Sequence, residues 1–175
     1  MHIRDYNGTG LWTVVAVRER YAEYSKRLNV AEPLNLCPME YRHGDAHWIY
    51  PIMEAVIAGI KNCDPACALI GIEFIEEDRK FAFGANLKSR TARALRQSVL
   101  SESQKARIRR RVVKMLEWGN TPREYREYVK LLRKIGFEEI WPQIEAGAPR
   151  ENKYAMRYFG YLRAIHETSA AVVKP

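Results

Sequence analysis

Long hydrophobic runs are missing from this chain. No uncharged apolar stretch approaches the roughly 18 residues of a membrane-spanning helix, so a span of that kind is excluded. Cysteine is scarce, at three residues in 175. An odd, small number favours reduced thiols over a disulfide framework. The opening residues, MHIRDYNGTGLW, lack the apolar core of a secretory leader, which makes the cytoplasm the expected location. There is no glycine-rich phosphate loop, no nucleophile elbow and no paired metal-binding helix motif. Enzyme activity therefore has no positive support, and no catalytic residue, metal ligand or cofactor is assigned. Sustained period-two alternation is absent as well. The best strand candidate, GLWTVVAV, competes with helical spacing from Val14 onward.

What is present is an ordinary globular composition, 47% hydrophobic and 29% charged, which rules out whole-chain disorder. The length suits one domain over 1–175, able to bury roughly 70% of its unfolded surface without disulfides or metal. The formal net charge is +8, from 29 Lys plus Arg against 21 Asp plus Glu. It is unevenly placed. Residues 79–134 hold 17 basic and 4 acidic side chains, a net of +13, and the remainder holds 12 and 17, a net of −5. Such asymmetry projects a positive potential over a Debye length of roughly 8–10 Å. Solvated helix faces are the ordinary use of these residues. The excess in this segment is more than solubility requires, and it points to anion or nucleic-acid contact.

The hydrophobic spacing predicts helices throughout. Val14, Val17, Tyr21, Tyr24 and Leu28 mark one amphipathic helix. Residues 30–47 read as a long connection. A second helix begins near Tyr50 with Pro51 in its first turn, and a third opens at Asp64-Pro65, an N-cap followed by proline at the first helical position. Its run from Ala66 to Ile75 is apolar on nearly all sides and belongs at the centre of the fold. A short helix holds Leu87, Thr91, Ala94 and Leu95. Ser101 with Gln104 forms a capping box for the next, through Ile108, Val112 and Leu116. Thr121-Pro122 with Glu124 predicts another start, and Gly136 its end. A short segment surrounds Ile140 and Trp141, and a final helix covers about 152–169. The last residues, AAVVKP, are expected to fray. The fold class is all-α, about seven or eight helices in antiparallel hairpins.

The segments 50–61/65–78, 86–97/101–118 and 121–136/152–169 pair as successive hairpins. With the Asp64-Pro65 start and the helix ACALIGIEFI, residues 50–136 resemble a HEAT- or armadillo-type stack. That resemblance implies a curved surface for binding proteins or nucleic acid. Catalysis is less common on it, although DNA glycosylases built from HEAT-like helices exist. Residues 64–136 are also similar to a group of small uncharacterised bacterial helical proteins, a similarity that implies no activity.

At 100° per residue, each basic helix presents its cations away from its apolar side. Lys88, Arg90, Arg93 and Arg96 are candidate phosphate contacts on the first, and Arg107, Arg110, Arg111 and Lys114 on the second. Arg123, Arg126, Lys130 and Lys134 form a similar stripe on the third. Merged, these stripes suit DNA, RNA or an acidic protein surface alike. Glu73, Glu76 and Glu77 share one helix side, with Asp78 beyond them. They read as ion pairs with Arg79, Lys80 and the following basic helices ahead of any metal or acid–base site. His43 and His47, with Cys63 and Cys67, have ligand-compatible spacings. An intervening apolar helix separates the pairs, so buried thiols and surface histidines are the expectation. Tyr154, Tyr158 and Tyr161 line one side of the last helix. They read as core, or as a protein or self-association interface if exposed. The leading reading is thus a non-enzymatic module contacting a polyanion, most simply nucleic acid. The alternative is a protein-interaction scaffold.

Overall fold

The computed structural model describes residues 2–172. It is mainly α-helical, with eight α-helices and one small sheet among those residues. The chain divides into two compact units, Met1–Leu100 and Ser101–Pro175.

The first unit begins with strand β1 (His2–Asp5) and a 3-10 turn over Gly10–Trp12, then helix α1 (Val14–Arg27). Of the two readings of GLWTVVAV, the helical one from Val14 holds, and no strand forms there. Thr13 Oγ1 instead accepts from Ala16 N and caps α1, whose side chains then follow a helical period. Residues 30–47 are more than a connection. They contain β2 (Glu40–His43) and the start of β3 (Ala46–Ile49), which pair antiparallel, while β1 adds to β3 in parallel. The sheet escapes a search for alternation because β1 and β2 are exposed along their whole length. The missed signal is Gly44-Asp45, a two-residue hairpin turn in which Gly44 takes φ 55°.

Helices α2 (Met53–Lys61), α3 (Pro65–Glu77) and α4 (Gly84–Leu95) pack on one another, and α1 covers α3. Pro51 lies just ahead of α2 rather than in it. Asp64 caps α3 as expected, its Oδ1 accepting from Cys67 N at 2.8 Å. Its Oδ2 accepts from Tyr21 Oη at 2.7 Å, and that hydroxyl accepts from Leu34 N. One carboxylate thus ties α1, the following loop and the start of α3 together. Along α3 every residue from Ala66 to Ile75 except Glu73 is buried, which makes it the core of this unit. Gly71 permits its close approach to α2 and α4. A Cβ there would lie 2.6 Å from Ile60 Cδ1 and 3.1 Å from Thr91 Cγ2.

The second unit holds α5 (Glu102–Glu117), α6 (Tyr125–Ile135), α7 (Trp141–Ala146) and α8 (Lys153–Val172), with a 3-10 turn over Glu138–Ile140. The Ser101/Gln104 capping box is present on α5. The box expected at Thr121 does not form. Tyr125 N bonds to Pro122 O at 2.9 Å, so the chain makes a turn first and α6 starts four residues later. Gly136 ends α6 at φ 83°. Both α6 and α8 pack on α5, and α6 packs on α8. The core is Ile108, Val112, Leu116, Tyr125, Tyr128, Leu132 and Leu162. The segment AAVVKP is helical through Val172 and otherwise lies outside the described residues.

Candidate anion-binding faces and an aromatic pocket

The eight candidate phosphate contacts divide between the two units, because α4 belongs to the first and α5 to the second. On α4, Lys88 needs correction. Its side chain is 4% exposed and its Nζ donates to Asp78 Oδ1, so it serves the fold and not a phosphate. The cause is Asp78, which ends α3 in the left-handed region at φ 50° and aims its carboxylate back at α4. Arg90 donates from Nη1 to Glu54 Oε1 on α2. Arg93 is exposed and Arg96 half-buried.

The acids of α3 are engaged in the same unit. Glu73 Oε2 pairs with Arg20 Nη1 at 2.8 Å, and Tyr24 Oη donates to its Oε1. Burial and that neighbouring carboxylate push the Tyr24 phenol up to about 12. Glu77 Oε2 accepts from Trp12 Nε1 at 2.9 Å and lies 4.0 Å from Arg79 Nε. These are ion pairs and hydrogen bonds within a fold, as anticipated for the cluster, with Arg20 and Trp12 as unforeseen partners.

The histidines and cysteines do not converge. His43 is exposed, while His47 is buried with its Nε2 2.8 Å from Glu40 Oε2. Cys63 is exposed; Cys67 is buried, and burial pushes its thiol pKa up. Among the described residues no three His, Cys, Asp or Glu side chains gather as a metal site.

The second unit is different. Its sequence carries 16 basic and 9 acidic side chains, a net of +7, where the first carries 13 and 12. On α5, Arg107, Arg110 and Lys114 follow one another at i, i+3 and i+7 and so share a side. Arg110 and Lys114 are exposed; Arg107 and Arg111 are half-buried. Neither Arg110 nor Lys114 has an ion-pair partner among the described residues. One turn further stands Trp118, 64% exposed, with Lys114 Nζ 4.7 Å from its ring centroid. Sequence reasoning passed over Trp118; its position at i+4 from Lys114 was the available signal. Arg109, by contrast, is a fastener. It donates to Gly136 O at 2.7 Å and Ile135 O at 2.8 Å, satisfying carbonyls at the end of α6.

Between α6 and α8 lies a pocket of about 500 Å³. Its walls combine two patterns seen in the sequence. Arg126 and Lys130 come from the basic stripe of α6, and Tyr154, Tyr158 and Tyr161 from α8, with Arg157 between them. Tyr154 is 60% and Tyr161 37% exposed, and Tyr158 is half-buried, so the stripe is not core. Tyr158 meets Tyr125 edge-on at 5.0 Å and 77°. Tyr125 is fully buried, donates from Oη to Val112 O at 2.9 Å, and has its own pKa pushed up by burial. Arg133 donates to Tyr161 Oη at 3.0 Å. Lys153 Nζ and Arg157 Cζ stand 5.3 and 5.7 Å from the Tyr154 centroid.

No helix among the described residues is long and apolar enough to cross a membrane. In comparisons with protein-family models, curated proteins and solved structures, nothing matches this chain.

Proposed function

We propose that this chain is a non-enzymatic binding module whose second unit engages a polyanion, nucleic acid in the first instance. The observation that carries this reading is the α5 stripe, in which exposed Arg110 and Lys114 stand without ion-pair partners and run into an exposed Trp118. Exposed cations neutralise phosphates and release counterions, and an adjacent indole adds a surface on which a base stacks. Arg107 continues the stripe toward the start of α5, and Arg111 flanks it. Arg93 and Arg96 are the remaining candidates on α4. A cytoplasmic setting accompanies this reading and is supported by three free cysteines.

The test is titration of the full chain into labelled RNA and DNA between about 50 and about 200 mM salt. Affinity is expected to fall steeply, with the logarithmic slope reduced by about 0.7 to 0.9 for each phosphate contact removed. The double variant Arg110→Glu/Lys114→Glu should lose binding while keeping its helical circular dichroism. Binding unchanged by it would refute the reading.

A protein-interaction scaffold is the second reading, favoured by the exposure of Tyr154 and Tyr161. It predicts a partner, including a second copy of this chain, whose binding is insensitive to salt and lost on substituting those tyrosines.

A further inference from the structure

The pocket between α6 and α8 has a composition that selects its occupant. Its lining includes three cations, Arg126, Lys130 and Arg157, and three phenol rings, Tyr154, Tyr158 and Tyr161, but no carboxylate. Lys130 is partly answered by Glu127, whose Oε1 lies 3.4 Å from Nζ. Arg126 and Arg157 have no ion-pair partner among the described residues. A cationic ligand is therefore disfavoured, and a plain hydrocarbon would leave the charges unused. A ligand that is both aromatic and anionic uses both sets of groups.

Two of the three rings are held in place before any ligand arrives. Tyr158 is braced edge-on by buried Tyr125, and the Tyr161 hydroxyl is held by Arg133. Little ordering of these two side chains remains to be paid on binding. The volume of about 500 Å³ falls within the range of small-molecule sites, and a concave site of this kind admits a base only when it is splayed out of a stack.

We propose that this pocket receives an unpaired nucleotide of single-stranded nucleic acid. The base stacks on the α8 tyrosines, and its phosphate is held by Arg126, Arg157 and Lys130. The proposal rests on the polyanion reading and names the form of the polyanion: single-stranded, with at least one base free. An acidic peptide would answer the cations but leave three aromatic faces without a stacking partner, so it is the weaker occupant.

The experiment compares four probes on the full chain at one salt concentration: a single-stranded oligonucleotide, its duplex, an abasic oligomer of equal length and polyglutamate. The wild-type chain should bind the base-bearing single strand about tenfold or more tighter than the abasic oligomer, and tighter than the duplex. Tyr154→Leu/Tyr161→Leu should erase that preference and leave the salt dependence in place. Arg126→Gln/Arg157→Gln should weaken every anionic probe. Tyr154→Leu alone, at the most exposed of the three rings, guards against loss of fold, which thermal unfolding of each variant checks. Equal binding of abasic and base-bearing strands overturns the proposal and leaves the polyanion reading standing. So does a tyrosine variant that retains the preference, or tighter binding of polyglutamate. Absence of salt-sensitive binding to every nucleic acid overturns both.

Discussion

The two units have similar numbers of cations but different numbers of acids to answer them. The first has 13 basic and 12 acidic side chains, and its acids seize its bases: Arg20 by Glu73, Lys88 by Asp78, Arg90 by Glu54. The second has 16 against 9, and its surplus stands on α5 and around the α6–α8 pocket. A cation count along the chain treats Lys88 and Arg110 as equals. The fold makes one a buried fastener and the other an exposed point charge. Charge density in sequence is thus a weak guide to binding until the nearby carboxylates have been placed.

The strongest expected effect lies in the first unit. Asp78→Asn keeps a side chain tolerant of the left-handed backbone but removes the carboxylate to which the buried Lys88 ammonium donates. A loss of about 3 kcal/mol in denaturant unfolding is expected, with nucleic-acid affinity of the folded protein unchanged. Arg110→Glu/Lys114→Glu should do the reverse. Stability should shift by less than about 0.5 kcal/mol, whereas anion affinity measured by anisotropy should fall about tenfold or more. If both variants moved both readouts, the division of labour between the units would be wrong.

Smaller effects refine the same contrast. Tyr125→Phe removes the buried hydroxyl that donates to Val112 O, and about 1 kcal/mol of stability should go with it. Because Tyr158 leans on that ring and not on its hydroxyl, preference for base-bearing strands should survive. In the first unit, the Tyr24 phenol is raised from 10.0 to about 12 in the folded state. The protonated form is the one the fold favours. Its contribution is therefore fully present below pH 10 and is lost as pH rises from about 10 to about 12. Tyr24→Phe should flatten that part of the alkaline unfolding curve. Last, a thiol reagent should modify exposed Cys37 and Cys63 quickly and buried Cys67 only on unfolding.

Much of the helical frame was legible in the residues. Asp64-Pro65 and the Ser101/Gln104 box are local chemistry, complete within four residues, and both form where they stand in the sequence. The Ala66–Ile75 run declares its own burial because no side of that helix suits water. The small sheet was hidden because β1 reaches β3 across some forty residues and both outer strands face solvent, which removes alternation as a signal. Thr121 failed as a cap for a different reason. The chain makes a backbone turn first, with Tyr125 N bonded to Pro122 O, so α6 begins at Tyr125 with Glu124 at the N-cap position and Thr121 lies ahead of it.

The candidate site follows the same division. That α5 has a cationic side and α8 a tyrosine stripe is a matter of spacing at 100° per residue, and the sequence settles it alone. Which cations remain available is not, because an ion pair depends on which carboxylate a distant helix brings within 4 Å. Asp78 and Lys88 meet through the turn between α3 and α4, and Arg90 meets Glu54 from thirty-six residues away. The pocket is likewise a product of packing. Arg126 and Tyr158 lie on helices separated by α7, and only the seating of α8 against α6 makes one cavity of the two stripes.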